Sequence, residues 1–222
     1  MEVTFPHRYR GPLTSANGGY ACGRLAGFVD AEEVEVTLRL PPPLDRGLAV
    51  ERDGDVVYLR DGDAVVAEAR PAAVEIEPPA PVSIADADAA RERHVREWTP
   101  DFRECYVCGV REDGLEIRAG LVPGREQLHA SPIALRESGP EFVWAAIDCP
   151  GAYAVGAEGR GDIVLGRMTA RVDRVPEDGE RCVVTSWPLG EDGRKLFAGT
   201  ALFAADGELL ALAKQVWIAP KG

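Results

Sequence analysis

The stretch DGDAVVAEARPAAV, which begins at Asp61, is echoed late in the chain by DGELLALAKQVWIA, which begins at Asp206. Both open on an Asp-Gly turn, run on through apolar residues and have the same length. Asp-Gly beside alternating apolar residues is the strongest short-range signal of a β-hairpin. Its recurrence in both halves implies duplication, and two like copies bury their apolar faces best against each other. That narrows the architecture to a repeated unit packed as a pseudo-dimer.

The residues around each echo define the unit. In the first copy, SANGGYACGRLAG (Ser15 to Gly27) reads as a helix with Asn17 as its N-cap. VEVTLRL (Val34 to Leu40) alternates like a half-buried strand, and VVYLR and AVVAEA follow, punctuated by Asp53-Gly54 and Asp61-Gly62. In the second copy, SGPEFVWAAIDC has Ser138 at an N-cap position with Glu141 three residues on and Pro140 in the first turn. The apolar FVWAAIDCPGAYAVG extends that helix. DIVLGRMTARV, ERCVVTSWPL, RKLFAGTALFA and ELLALAKQVWI then read as strands, with turns at Asp192-Gly193 and Asp206-Gly207. Between the copies, EPPAPVSIADADAARERHVREW (Glu77 to Trp98) is Pro-rich and then polar and helix-prone, a linker carrying one surface helix. The expectation is an α+β chain with repeats over 1–80 and 104–222 and a linker over 81–103, each repeat a helix followed by an antiparallel meander.

Charge and cysteine usage exclude several functions. The formal net charge of −12 argues against nucleic acid, whose binding rests on neutralising phosphates with Lys and Arg. No apolar run approaches the roughly 20 residues of a membrane span, and MEVTFPHRYRGPL lacks the apolar core of a signal peptide. A soluble, cytoplasmic protein is expected. Its five cysteines are an odd set, better suited to free thiols in a reducing compartment than to disulfides. CYVC (Cys105 to Cys108) has zinc spacing but no second pair, His129 is the one histidine downstream, and a zinc site needs four ligands.

Three features carry chemistry. GGYACG does not fit a dinucleotide fingerprint, because the spacing is wrong and no apolar strand precedes it. Gly19, Gly23 and Gly27 lie four apart and give one helix face almost no side chain, which lets a sheet wrap closely. Gly18 and Gly19 also lie at the helix head, where unpaired N–H groups and the helix dipole favour developing negative charge. For these two, packing and oxyanion stabilisation both stand. Asp148 is the single charge in an apolar helix. It either caps the backbone around the Pro150-Gly151 break or serves as a general base in a dry cleft. Gln215 is an amide in an apolar last strand, placed either to orient a water or to make a local hydrogen bond.

These motifs resemble the hotdog-fold acyl-CoA thioesterases, and most of all the double-hotdog chains of the thioesterase II-like family. NGGYA (Asn17 to Ala21) resembles the helix head of a first hotdog, and CYVCGVREDGLEI (Cys105 to Ile117) resembles the Cys-x-x-Cys-Gly entry to a hotdog domain. The resemblance implies two long helices wrapped by antiparallel sheet, and a cysteine pair that is structural and holds no metal. It implies hydrolysis of acyl-CoA in lipid metabolism by a water that Asp148 activates and Gln215 positions. Asn17, Gly18 and Gly19 would hold the thioester oxygen, with no cofactor and no covalent intermediate. The family's third polar residue, a Thr or Ser near the strand after the helix, has no clear match: Val164 and Leu165 stand near its place, and Thr169 lies a few residues late. Trp144, with Phe142 and Tyr153, would shape the acyl tunnel. Arg194 with Lys195, or Arg167 and Arg171, would meet the anionic end of the substrate. A hydratase would need a histidine beside Asp148, and His7, His94 and His129 are not on either helix. The alternative is a non-catalytic protein binding acyl or other hydrophobic ligands. Exposed sheet edges favour homo-oligomers through the sheets.

Overall fold

The computed structural model describes residues 1–95, 99–157 and 160–221, so the end of the expected linker, Arg96 to Trp98, lies outside the described residues. The first half contains β1 (Glu2–Thr4), α1 (Gly18–Ala26), β2 (Glu33–Leu38), β3 (Gly47–Asp53), β4 (Val56–Asp61) and β5 (Ala64–Pro71). Then come α2 (Ile84–Arg91), in the Pro-rich seam, and a two-residue strand β6 (Gly120–Leu121). The second half contains β7 (His129–Ala134), α3 (Pro140–Ala146), α4 (Cys149–Ala154), β8 (Val164–Val172), β9 (Arg181–Asp192), β10 (Lys195–Ala204) and β11 (Leu209–Ile218).

The strands form one sheet, in the order β1-β3-β4-β5-β2-β8-β11-β10-β9-β7-β6. Outward from the central β2–β8 pair, each half runs in the same way: seam strand, last strand, the two middle strands, then the strand that precedes the helix. The echoed segments become β5 and β11, and each lies beside its own seam strand. Gly62 and Gly193 take positive φ, +57° and +56°, as the tight Asp-Gly hairpins require. The seam is antiparallel, with Val34 opposite Ala170 and Val36 opposite Met168, all four buried. Its solvent side is charged and complementary: Arg171 reaches Glu33 at 3.2 Å and Arg167 reaches Glu35 at 3.6 Å.

Three expectations about the helices need correction. The small face of α1 meets another helix, not the sheet. A Cβ on Gly23 would stand 2.7 Å from the Glu141 Cα and 2.8 Å from the Trp144 Cβ, and one on Gly19 would overlap Asp148 and the Trp144 carbonyl. These glycines let α1 and α3 lie backbone to backbone. Gly27 is no part of this face, because it ends the helix and its nearest neighbour is its own chain at 3.7 Å. The second correction is that the apolar helix is broken at Ile147 and Asp148 into α3 and α4. Pro150 offers no N–H to the preceding turn and its ring crowds the carbonyl four residues back. Ser138 is not the cap of α3; that position is Gly139, whose φ of +155° suits glycine.

Candidate active site

The break between α3 and α4 sends the Asp148 side chain towards the head of α1. Asn17 caps α1 by accepting the Tyr20 N–H on its side-chain oxygen at 2.9 Å. With the oxygen committed there, the NH2 of the amide faces the other way and donates to Asp148 Oδ2 at 2.8 Å. The Gly19 N–H donates to the same oxygen at 2.9 Å. Asp148 therefore satisfies an open N–H of α1 from across the interface, at the positive end of that helix. The side chain is 2% exposed, and its other oxygen, Oδ1, accepts a hydrogen bond from none of the described residues. Burial pushes its pKa up to about 7, with the Gly19 and Asn17 hydrogen bonds pulling back and Cys108 adding a small push upward.

Asp148 lines a cleft of about 300 Å³ between the halves. One wall comes from the first half, through Ser15 to Gly18 and Leu38 to Pro42; the other is Cys105, Cys149, Ala152, Ile163 to Gly166 and Trp217. The lining is chiefly apolar, so a carboxylate at its wall meets a poorly solvating environment.

The sequence matches no protein-family model, and no curated protein matches it. Solved structures do. The structure matches a putative thioesterase II from Thermobifida fusca YX over 99% of this chain and 92% of that one, at 15% identity and a TM-score of 0.64. A protein of unknown function with a hot dog fold from Alicyclobacillus acidocaldarius matches over 100% and 92%, at 12% identity and 0.67. An acyl-CoA thioesterase II, TesB2, from Mycobacterium marinum matches over 94% and 92%, at 13% identity and 0.60. This chain has the hotdog fold.

Within the hotdog, the expected site residues divide. Asn17, Gly18, Gly19 and Asp148 converge at the head of α1. The Gly19 N–H is engaged by the Asp148 carboxylate. The Gly18 N–H, at the first helical position, has no intrahelical acceptor, and Gly18 lines the cleft. Gln215 lies behind the carboxylate. Its NH2 donates to the Ile147 and Asp148 carbonyls at 2.6 and 3.2 Å, and its oxygen accepts the Trp217 N–H at 2.8 Å. It closes the helix break where an intrahelical bond is missing, and makes no bond to the carboxylate that would hold a water there. Trp144 is buried at the contact with Gly23 and does not line the cleft. Arg194 donates to the Ala219 carbonyl at the β9–β10 turn, away from the lining, and Arg167 and Arg171 are paired along the seam.

Sequence reading missed two contributors. Arg39 lines the cleft from the end of β2, with half its side chain exposed and Glu68 at 2.6 Å. Cys149 meets the CYVC turn, its sulfur 3.8 Å from that of Cys105. Arg39 could have been found as the basic residue that ends the alternation of β2; nothing local marks Cys149. The Gln215 network predicts a measurable role. Gln215→Leu leaves the buried Ile147 carbonyl and the Trp217 indole N–H unpaired, while the Asp148 carbonyl keeps the Gly151 N–H at 3.0 Å, at about 1–3 kcal/mol for each unsatisfied group. Urea unfolding is expected to show a loss of about 3 kcal/mol; a midpoint equal to the parent's would mean that the break holds without the amide.

Proposed function

We propose that the chain hydrolyses acyl thioesters, with Asp148 as general base and an acyl-CoA as the substrate class. The observation that carries this is the half-satisfied carboxylate. Oδ2 is fixed by two donors, the buried Oδ1 accepts from no described group, and Asp148 lines an apolar cleft. A general base needs this combination of fixed orientation and one open acceptor. In this reading Oδ1 takes a proton from a water in the cleft as the water oxygen bonds to the thioester carbonyl carbon. The Gly18 N–H, at the positive end of α1, stabilises the oxyanion. As the C–S bond breaks, the proton passes from Asp148 to the departing sulfur, giving a carboxylic acid and a free thiol. Arg39 at the mouth suits an anionic group on the thiol end. The fold shared with proteins named as thioesterases supports the reading. So does the matching strand order of the halves, which we take as two tandem hotdog repeats over 1–80 and 104–222 paired as a pseudo-dimer, joined by 81–103.

Two observations favour a non-catalytic ligand binder. Asp148 also caps α1 from outside, a role that needs no chemistry, and apolar Leu165 lies in the cleft lining near the place of the family's polar residue. Thiol release from acyl-CoA substrates of graded chain length, measured beside calorimetric binding of the same compounds, separates the two. Turnover with at least one chain length supports the hydrolase. Saturable binding with no thiol release would end it.

A further inference from the structure

Three cysteine sulfurs converge beside the cleft. Those of Cys105, Cys108 and Cys149 all lie within 4.8 Å of one another, and all three residues are buried. The backbone around the first two is arranged as a tight turn about the sulfur. The Cys105 sulfur accepts the Cys108 backbone N–H, and the Gly109 N–H bonds back to the Cys105 carbonyl at 2.9 Å. A side chain at Gly109 has no room, since a Cβ there would come 2.5 Å from the Cys105 backbone. The turn is pinned from three further sides: Tyr106 N–H to the Arg10 carbonyl, Leu115 N–H to Tyr106, and Ile117 N–H to Val107. The third sulfur arrives on the first turn of α4, fixed there by the break after α3.

We propose that Cys105, Cys108 and Cys149 form a binding site for a thiophilic divalent cation of the zinc class, held by three thiolates. The 3.8 Å between the Cys105 and Cys149 sulfurs matches the edge of a tetrahedron with zinc–sulfur bonds of about 2.3 Å, which is about 3.8 Å. Binding exchanges the three thiol protons for the metal, and they leave to solvent. A fourth ligand would complete the tetrahedron, and a water entering from the cleft that Cys105 and Cys149 border is the candidate. The cysteine spacing by itself pointed the other way, since it lacked a second pair. The fold supplies the missing partner from 41 residues beyond Cys108. The site does not depend on the hydrolase reading and stands if the protein only binds ligands.

Titration of the reduced, metal-free protein with Cd²⁺ tests it. The thiolate-to-cadmium charge-transfer band is expected to rise to an end point at one equivalent. Cys108→Ala and Cys149→Ala are expected to abolish that end point, whereas Cys182→Ala, on β9 outside the cluster, keeps it. No band, or a band undiminished in both cluster variants, overturns the proposal. Because buried cysteine variants can lose their fold, the unmutated protein is also loaded with Zn²⁺ and its metal shell measured by X-ray absorption. Three sulfurs at about 2.3 Å are expected; a shell of nitrogen and oxygen alone overturns the assignment.

Discussion

Asp148→Asn is expected to lower acyl-thioester hydrolysis by at least about 100-fold, the scale of a general base, with a thermal midpoint at or above the parent's. The substitution keeps size and shape, and its carbonyl oxygen still accepts from Asn17 and Gly19. What changes is that the open oxygen is replaced by an NH2, which cannot take a proton. Removing a charge that is 2% exposed also relieves a desolvation cost, which is why stability is expected to hold or rise. Thiol release and thermal unfolding are measured on the same preparations. A rate within tenfold of the parent would remove Asp148 from the chemistry. A steep fall in midpoint would show that the carboxylate serves chiefly to cap α1, as the ligand-binder reading holds.

The second large effect lies at the helix contact. Gly23→Ala is expected to cost about 1–3 kcal/mol, the usual scale of overpacking. The new methyl meets the Glu141 Cα and the Trp144 Cβ at 2.7 and 2.8 Å, and backbone cannot rotate away. α1 and α3 must separate, and that separation also draws the Gly19 N–H from Asp148, so hydrolysis is expected to fall with stability. Gly27→Ala serves as the contrast. Its helical φ of −60° and a nearest contact of 3.7 Å suit alanine, and a gain of about 0.4–1 kcal/mol is expected from the stiffer unfolded chain. Urea unfolding of the pair decides the matter: equal stability of the two variants would mean that the helices do not depend on this face.

What could be read from the sequence followed from local chemistry. Alternation in VEVTLRL and the Asp-Gly pairs marked strands and turns because strand period and turn conformation are set by neighbouring residues. Asp148 and Gln215 stood out because a charge and an amide in apolar runs need partners. Which partners they find was not legible. The donors to Asp148 lie 129 and 131 positions away, and the carbonyls that hold Gln215 lie 67 and 68 away. The face of Gly19 and Gly23 was readable as bare, but not as meeting a helix. Cys149 joined the CYVC turn across 44 positions, with no local mark that it would. The break at Ile147 was half legible: Pro150 announced it, and the direction it gives Asp148 did not follow.

The seam has a consequence for synthesis. The partner of β2 is β8, and Thr37 is 130 positions ahead of the Arg167 that bonds to it. At about 5–20 residues per second of translation, β2 emerges several seconds or more before the strand that covers it. Throughout that interval the first half presents a naked edge of the kind that seeds aggregation. Glu33 stands on that strand, and until Arg171 arrives its charge repels a second copy of the same edge, whereas Glu35 is already held by Arg70 of β5 at 2.7 Å. The Glu33 carboxylate that helps fasten the finished sheet is thus its guard while the chain is still on the ribosome.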